Sequence, residues 1–157
     1  MPSANGPDLA IIEQMFLGEY ERTLDDKGRL ILPAAFRDAL GSRGAIVTRG
    51  LDRCVVLFPS DHFLQWREKI ENLPLSSGQG RILKRHFYSG AAPANADGQG
   101  RISIPPFLRE YASLTGAVVV SGCNTYVEIW DVQHWNEQRA RFEESGDDAK
   151  AWDALGI

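Results

Sequence analysis

The chain has 157 residues, 43% of them hydrophobic, and a formal net charge of −4. This length suits one globular domain or two small ones, and the lack of an apolar run of about 18 residues predicts no membrane span. Five of the 21 acidic and one of the 17 basic residues follow Arg141, so the preceding body is neutral. Binding of a polyanion would therefore depend on a local basic surface.

Short strands, turns and helices alternate in the first half of the chain. Residues 1–14 are expected to be a flexible lead, because Pro2, Gly6 and Pro7 interrupt a polar segment. Pro33 suits the first turn of a helix, and Gly41 suits its end. The predicted elements are strands 19–24 and 29–32, a helix from Pro33 to Leu40, strands 45–48 and 54–58, a helix from Pro59 to Leu73, and a helix over 81–88.

The same order recurs 72 residues later without a gap and ends in a helix over 132–143, followed by an acidic segment expected to fray. The aligned pairs are Asp25 and Asp97, Gly28 and Gly100, Arg29 and Arg101, Pro33 and Pro105, and Arg37 and Arg109. Each copy is shorter than the roughly 70 residues that sustain an isolated core. We therefore expect an α+β fold of two pseudo-twofold-related repeats that share one core through interleaved strands.

Motif spacing argues against an enzyme and predicts no cofactor or metal. A calcium-loop pattern beginning at Asn95 has Pro106 where the closing Glu belongs, and Ser103 occupies the third glycine position of a dinucleotide motif. No phosphate-binding loop or nucleophile elbow is present. Cys54 and Cys123 lie in apolar runs, which suits a reducing, cytoplasmic compartment.

The duplicated turn has a possible binding role. Arg29 and Arg101 each follow a glycine-containing turn, and Asp25 and Asp97 stand four residues earlier, where a carboxylate orients a guanidinium. Such an arginine binds guanine O6 and N7 or a phosphate. Each pair could equally be an ordinary turn ion pair. The duplication favours a ligand that itself repeats.

Other side chains are secondary candidates. Lys27 adds a cation to the first turn, whereas Gln99 offers an amide at the equivalent place in the second. A basic group on the 81–88 helix is the second candidate DNA contact, although a solvated helix face explains it better. The aromatic set fits a core better than a stacking platform, and His62 and His134 fit equivalent helix starts. The basic group is Arg81, Lys84 and Arg85, and the aromatic set is Phe63, Trp66, Trp130 and Trp135.

Four features together carry a family resemblance: Phe16-Leu17-Gly18, the segment from Thr23 to Arg37, its second copy from Asp97 to Pro105, and Trp130-Asp131. Through them nearly the whole chain resembles the MraZ family. It implies two tandem AbrB/SpoVT-like domains, with swapped hairpins forming a small barrel flanked by helices. The implied divisions are a lead over 1–14, a DNA-binding domain over 19–66, a helical linker over 67–90, a second DNA-binding domain over 91–134, and a C-terminal helix with an acidic tail over 135–157.

The resemblance also implies a function. The resemblance implies homo-oligomeric rings that bind short G-rich direct repeats in double-stranded DNA. It implies a transcriptional regulator, mostly a repressor, of the division and cell-wall gene cluster including its own operon. Such a protein would be cytoplasmic and nucleoid-associated, with the Asp-x-x-x-Arg motif carried by Asp25 and Arg29 and by Asp97 and Arg101. The alternative is a non-DNA assembly module whose duplicated loops bind protein partners.

Overall fold

The structure is a computed structural model that describes residues 7–156. Its strands are β1 Glu19–Thr23, β2 Arg29–Ile31, β3 Ala45–Arg49, β4 Val55–Pro59, β5 Ala92–Pro93, β6 Arg101–Ser103, β7 Ala117–Gly122 and β8 Val127–Asp131. Its helices are α1 Pro7–Glu13, α2 Ala34–Leu40, α3 Ser60–Glu71, α4 Gly78–Ser89, α5 Pro106–Ala112, α6 Val132–Glu144 and α7 Asp147–Ala154.

The strands of the two repeats interleave, as expected. Antiparallel pairing places six strands in the order β1-β7-β8-β4-β3-β5, and β2 pairs with β6 in a separate ribbon. The outer strands β1 and β5 each pair with a strand of the other repeat, and the repeats also meet at β4–β8. Neither repeat has a complete sheet of its own, which explains how two short units sustain a core.

The predicted small barrel is wrong for the part of the chain that is described. The six-stranded sheet is open, because β1 and β5 have no strand partner on their outer sides. The ribbon strands are three residues long and cannot bridge these edges. Each is followed within two residues by a proline, Pro33 or Pro105, which removes a ladder donor and leads into a helix.

The helices cover an apolar interior that consists of two clusters. The larger lies between the ribbon, α2, α5 and the inner face of the sheet, and it includes Leu30, Phe36, Ile102 and Leu108. The smaller lies between the outer face of the sheet and the pair α3–α4, around Phe58. The ribbon is therefore fixed from beneath by the larger cluster.

The chain termini add two exposed helices. Part of the predicted N-terminal lead, residues 1–6, lies outside the described residues, and α1 follows with exposed side chains from Asp8 to Glu13. The acidic C-terminal segment contains α7, which has no buried residue. No helix in the described range 7–156 is long and apolar enough to cross a membrane.

Candidate nucleic-acid interface

The turn between β1 and β2 is organised by one carboxylate. Asp25 Oδ1 accepts hydrogen bonds from the backbone N–H groups of Lys27, at 3.0 Å, and Arg29, at 2.9 Å. Its Oδ2 accepts from Arg29 Nε at 2.8 Å. The same side chain therefore closes the turn and fixes the direction of the arginine, a dual role that the short Asp side chain permits.

The turn between β5 and β6 repeats this geometry. Asp97 Oδ1 accepts from the backbone N–H groups of Gln99 and Arg101, each at 2.9 Å, and Oδ2 accepts from Arg101 Nε at 2.9 Å. Lys27 and Gln99 thus occupy equivalent places, and both side chains are exposed. The structure brings all six predicted site residues to the two ends of one ribbon.

Both aspartates are held in their charged form. The backbone N–H of Arg29, reinforced by its guanidinium, lowers the pKa of Asp25 below the ordinary value of 3.8. The backbone N–H of Arg101 and its guanidinium lower the pKa of Asp97 in the same way. Each carboxylate is therefore ionised at neutral pH and holds its arginine by a charge-assisted hydrogen bond.

The two arginines lie on the same face of the ribbon. Arg29 pairs with Ser103, and Ile31 pairs with Arg101. Side chains at paired positions and two residues apart share a face, so these four project together while Leu30 is buried beneath. Arg29 and Arg101 are diagonal neighbours, whose Cα atoms are typically about 7–8 Å apart. Their aspartates direct the guanidiniums toward opposite ends of the ribbon.

Part of each guanidinium is available to a ligand. Within each of these two guanidiniums, only Nε donates to a protein side chain. The two terminal nitrogens of Arg29 and those of Arg101 have no acceptor among residues 7–156. The side chains of Arg29 and Arg101 are 28% and 26% exposed. The outward N–H groups can therefore donate in parallel to two acceptors of one ligand, such as guanine O6 and N7 or two phosphate oxygens.

A second arginine lies against each turn, and it comes from the other repeat. A Cβ atom on Gly28 would lie 2.6 Å from Arg109 Cζ, and one on Gly100 would lie 2.8 Å from Arg37 Cζ. The glycines have φ values of +75° and +76°, so they permit both the turn and this approach. Arg109 Nε donates to the carbonyl of Ile104 at 3.0 Å. These arginines were missed as site residues, although their alignment in the repeat marks them.

A further cation lies at the end of the ribbon that carries Arg101. Arg22 Nε donates to the carbonyl of Ile31 at 3.2 Å, which places Arg22 beside the end of the ribbon that carries Arg101. Its equivalent in the second repeat is Ala94. Lys27 accompanies Arg29 at one end of the ribbon, and Arg22 accompanies Arg101 at the other. Basic character is therefore present at both ends although only one turn contains a lysine.

The secondary candidates lie elsewhere. The basic residues of α4 are on a helix that packs on β3 and α3, and Lys84 is 3.8 Å from Glu71. Trp130 is buried in the smaller apolar cluster, and Phe63, Trp66 and Trp135 pack against that cluster. This confirms the prediction that these aromatic residues belong to the core. His62 and His134 lie near the starts of α3 and α6. Within residues 7–156, no three His, Cys, Asp or Glu side chains are placed to hold a metal ion.

Comparison with known proteins explains the duplication. A family model described as "MraZ protein, putative antitoxin-like" matches the chain twice, over residues 15–86 and 87–156. The chain belongs to the MraZ family. The two MraZ matches each contain one Asp-x-x-x-Arg turn, so the pair of turns reflects two tandem family units.

Curated MraZ relatives agree with this assignment. A protein of Roseiflexus castenholzii is 50% identical over 121 residues, which cover 77% of this chain and 84% of the relative. One of Desulforamulus reducens is 44% identical over 131 residues, covering 83% and 92%. One of Halothermothrix orenii is 42% identical over 144 residues, covering 91% and 100%. Each of these relatives is named "Transcriptional regulator MraZ".

Proposed function

We propose that this chain is a transcriptional regulator that binds double-stranded DNA in a sequence-specific manner through Arg29 and Arg101. The observation that carries the proposal is a pair of aspartate-held guanidiniums on the exposed face of one two-stranded ribbon. The major groove of DNA, about 12 Å wide, admits a two-stranded ribbon. The names of the relatives support the regulatory role.

The proposed contacts divide into two kinds. Arg29 and Arg101 donate bidentately to guanine O6 and N7, which gives preference for G-rich sequence. Lys27 and Arg22, with Arg109 and Arg37 beside the turns, bind phosphates and position the ribbon without specifying bases. Gln99 contributes an amide contact at the second turn. Asp25 and Asp97 act as positioning residues, because each holds its arginine in place before DNA binds. The held guanidinium then loses less conformational entropy on binding.

We propose further that each repeat is an AbrB/SpoVT-type swapped hairpin. The pairing of strands across the repeats supports this proposal. In it, the DNA-binding domains comprise residues 19–66 and 91–134, residues 67–90 form the helical linker, and residues 135–157 hold the C-terminal helix and acidic tail. The ribbon joins the two domains and presents one arginine from each.

Assembly into a homo-oligomeric ring is part of the same proposal. The described helix α4 carries three basic and no acidic residues, whereas α7 carries three acidic residues and Lys150. Ile82 on α4 and Trp152 on α7 are 64% and 55% exposed. Contact between these different surfaces of neighbouring subunits would be head-to-tail, the kind that closes into rings. A ring then binds short direct repeats in DNA, and the weak contacts of single ribbons combine by multivalency.

The proposed target follows from the family resemblance. The protein acts in the cytoplasm on nucleoid DNA and represses the division and cell-wall gene cluster that includes its own operon. The alternative is a non-DNA assembly module, in which the same loops bind acidic groups of protein partners. No observation favours that alternative specifically.

A mobility-shift experiment separates the two functions. The full chain is mixed with DNA from upstream of its own gene, and with a shuffled probe of the same composition, at two salt concentrations. DNA binding predicts a shift that prefers the upstream probe and weakens as salt rises, because phosphate contacts release counterions. The assembly-module alternative predicts no salt-sensitive shift of either probe.

A further inference from the structure

A cavity of about 150 Å³ lies between the outer face of the sheet and the pair α3–α4, and residues of both repeats line it. The β3–β4 hairpin forms part of its wall through Gly50 and Leu51. Most of the wall is apolar or aromatic, and six side chains supply it: Val56, Phe58, Trp66, Ile70, Leu83 and Phe87. An engineered apolar cavity of about this volume in another protein binds benzene, so the space suits one aromatic ring.

Aromatic rings line several sides of this cavity. The ring of Phe58 lies 5.3 Å from that of Trp66, 5.6 Å from that of Tyr126 and 5.9 Å from that of Phe87, measured between centroids. The three rings are tilted by 50°, 44° and 64° from the ring of Phe58. Trp66 and Phe87 are themselves stacked, with an interplanar angle of 15°. These rings give the cavity a largely aromatic wall, and an aromatic ring attracts a cation that lies over its face.

The charges at the cavity also favour a cation. Glu128 and Asp52 line it, and Arg49 is the one basic residue of its lining. Arg49 is already engaged outside the cavity: its Nη1 donates to the carbonyl of His86 at 3.1 Å and to Ser89 Oγ at 2.9 Å. Each oxygen of Glu128 accepts one weak or long hydrogen bond, from Cys54 Sγ at 3.5 Å and from Trp130 Nε1 at 3.2 Å. Both oxygens retain accepting capacity for a ligand N–H.

The cavity breaks the symmetry of the repeats. The second-repeat equivalent of Trp66 is Gln138, and that of Ile70 is Phe142, which is 45% exposed. The second repeat instead has a polar groove between α6 and the β3–β4 hairpin, lined by Glu137 and Arg141 among others. The Asp-x-x-x-Arg turns occur twice, whereas Trp66 and Ile70 of the cavity wall have no aromatic-core equivalents at Gln138 and the exposed Phe142. The chemistry of the cavity is therefore separate from the duplicated interface.

We propose that this cavity is a binding site for a small organic ammonium ion with an apolar body the size of one aromatic ring. The apolar body occupies the space around Phe58, and the ammonium group donates to Glu128. This site goes beyond DNA binding, and it does not depend on it.

Three probes with the same ring and different charge test the proposal. Benzylamine is cationic at neutral pH, toluene is neutral and benzoate is anionic. Binding to the full chain is followed by chemical-shift changes of the indole N–H of Trp66 during NMR titration. We expect benzylamine to bind more tightly than toluene, and toluene more tightly than benzoate.

Two variants and one control sharpen the test. Glu128→Gln keeps the shape of the side chain and a hydrogen-bond acceptor but removes its charge. Loss of a charge-assisted hydrogen bond should lower the affinity for benzylamine by about tenfold, while the affinity for toluene stays unchanged. Leu83→Phe should fill the cavity and abolish binding of both probes. Glu137→Gln, in the polar groove of the second repeat, should change neither affinity.

The proposal is overturned if no probe shifts the Trp66 signal, which is also the result expected if a neighbouring subunit fills the cavity. Equal affinities of benzylamine and benzoate would overturn it as well, because the carboxylate would then not select the ligand. Unchanged benzylamine binding in Glu128→Gln is the third contradictory result. Toluene binding by that variant shows that its cavity is still folded.

Discussion

The close approach of Arg37 to the second turn makes Gly100→Ala a sharp test of the ribbon geometry. Gly100 has a φ of +76°, a conformation that costs an L-residue about 1–2 kcal/mol. The added methyl would also lie 2.8 Å from Arg37 Cζ, and Arg37 Nη1 donates to the carbonyl of Leu32 at 3.2 Å. The methyl group therefore either strains the turn or displaces a guanidinium that is hydrogen-bonded to the backbone.

Strain in the turn alone sets the minimum expected loss of stability. For a chain of this size, each kcal/mol corresponds to about 2–4 °C in Tm, so Gly100→Ala should lower Tm by about 2–8 °C in thermal denaturation followed by circular dichroism. Gly98→Ala is the matched control in the same turn, since a Cβ there meets no atom within 4 Å. It should be neutral or slightly stabilising. Equal Tm values for the two variants would refute the described turn.

Three further predictions concern the charges at the turns. Asp25→Asn removes a negative charge near the proposed DNA, yet it should weaken specific DNA binding, because Arg29 loses its orienting partner. Fluorescence anisotropy measures this binding, and stronger specific binding by the variant would show that Asp25 only repels phosphate. The lowered pKa values of Asp25 and Asp97 stabilise the fold above their ordinary pKa, and this contribution is lost as pH falls below about 4. The double variant Asp25→Asn with Asp97→Asn should therefore lose less Tm than the natural chain between about pH 5 and pH 3, and parallel losses would contradict the assignment. Gln99→Lys should strengthen binding to DNA of any sequence and steepen the salt dependence of that binding by about one counterion. Lys27→Gln should weaken the binding and make its salt dependence shallower by the same amount. An unchanged salt dependence in both variants would show that these positions lie outside the interface.

The features predictable from sequence were local ones. Asp25 and Gly28 define their turn through residues at most four positions apart, so spacing alone was enough to predict it. Pro33 and Gly41 likewise bound α2, which begins at Ala34 and ends at Leu40. The exact recurrence of these signals supplied the second turn and helix, and it led to the expectation of a shared core.

The features that the sequence did not reveal depend on contacts between the repeats. Arg109 reaches Gly28 only because the strands of the two halves interleave. Arg22 bonds to Ile31 within its own repeat, and it lies near Arg101 only because β2 pairs with β6. No spacing rule links such positions. Closure of a barrel also depends on strand pairing over a distance, and the three-residue ribbon strands do not provide it. The cavity depends on how α4 packs on β3 and α3, which periodicity alone does not determine.

The most direct test of the central claim replaces the arginines without removing their charge. Arg29→Lys with Arg101→Lys keeps both cations but removes the planar group that binds guanine O6 and N7 together. Mobility shifts with the upstream probe and its shuffled counterpart should show that affinity for the upstream probe falls by about 1–3 kcal/mol per arginine contact, while affinity for the shuffled probe stays the same. An unchanged preference for the upstream probe would contradict base recognition by these two arginines.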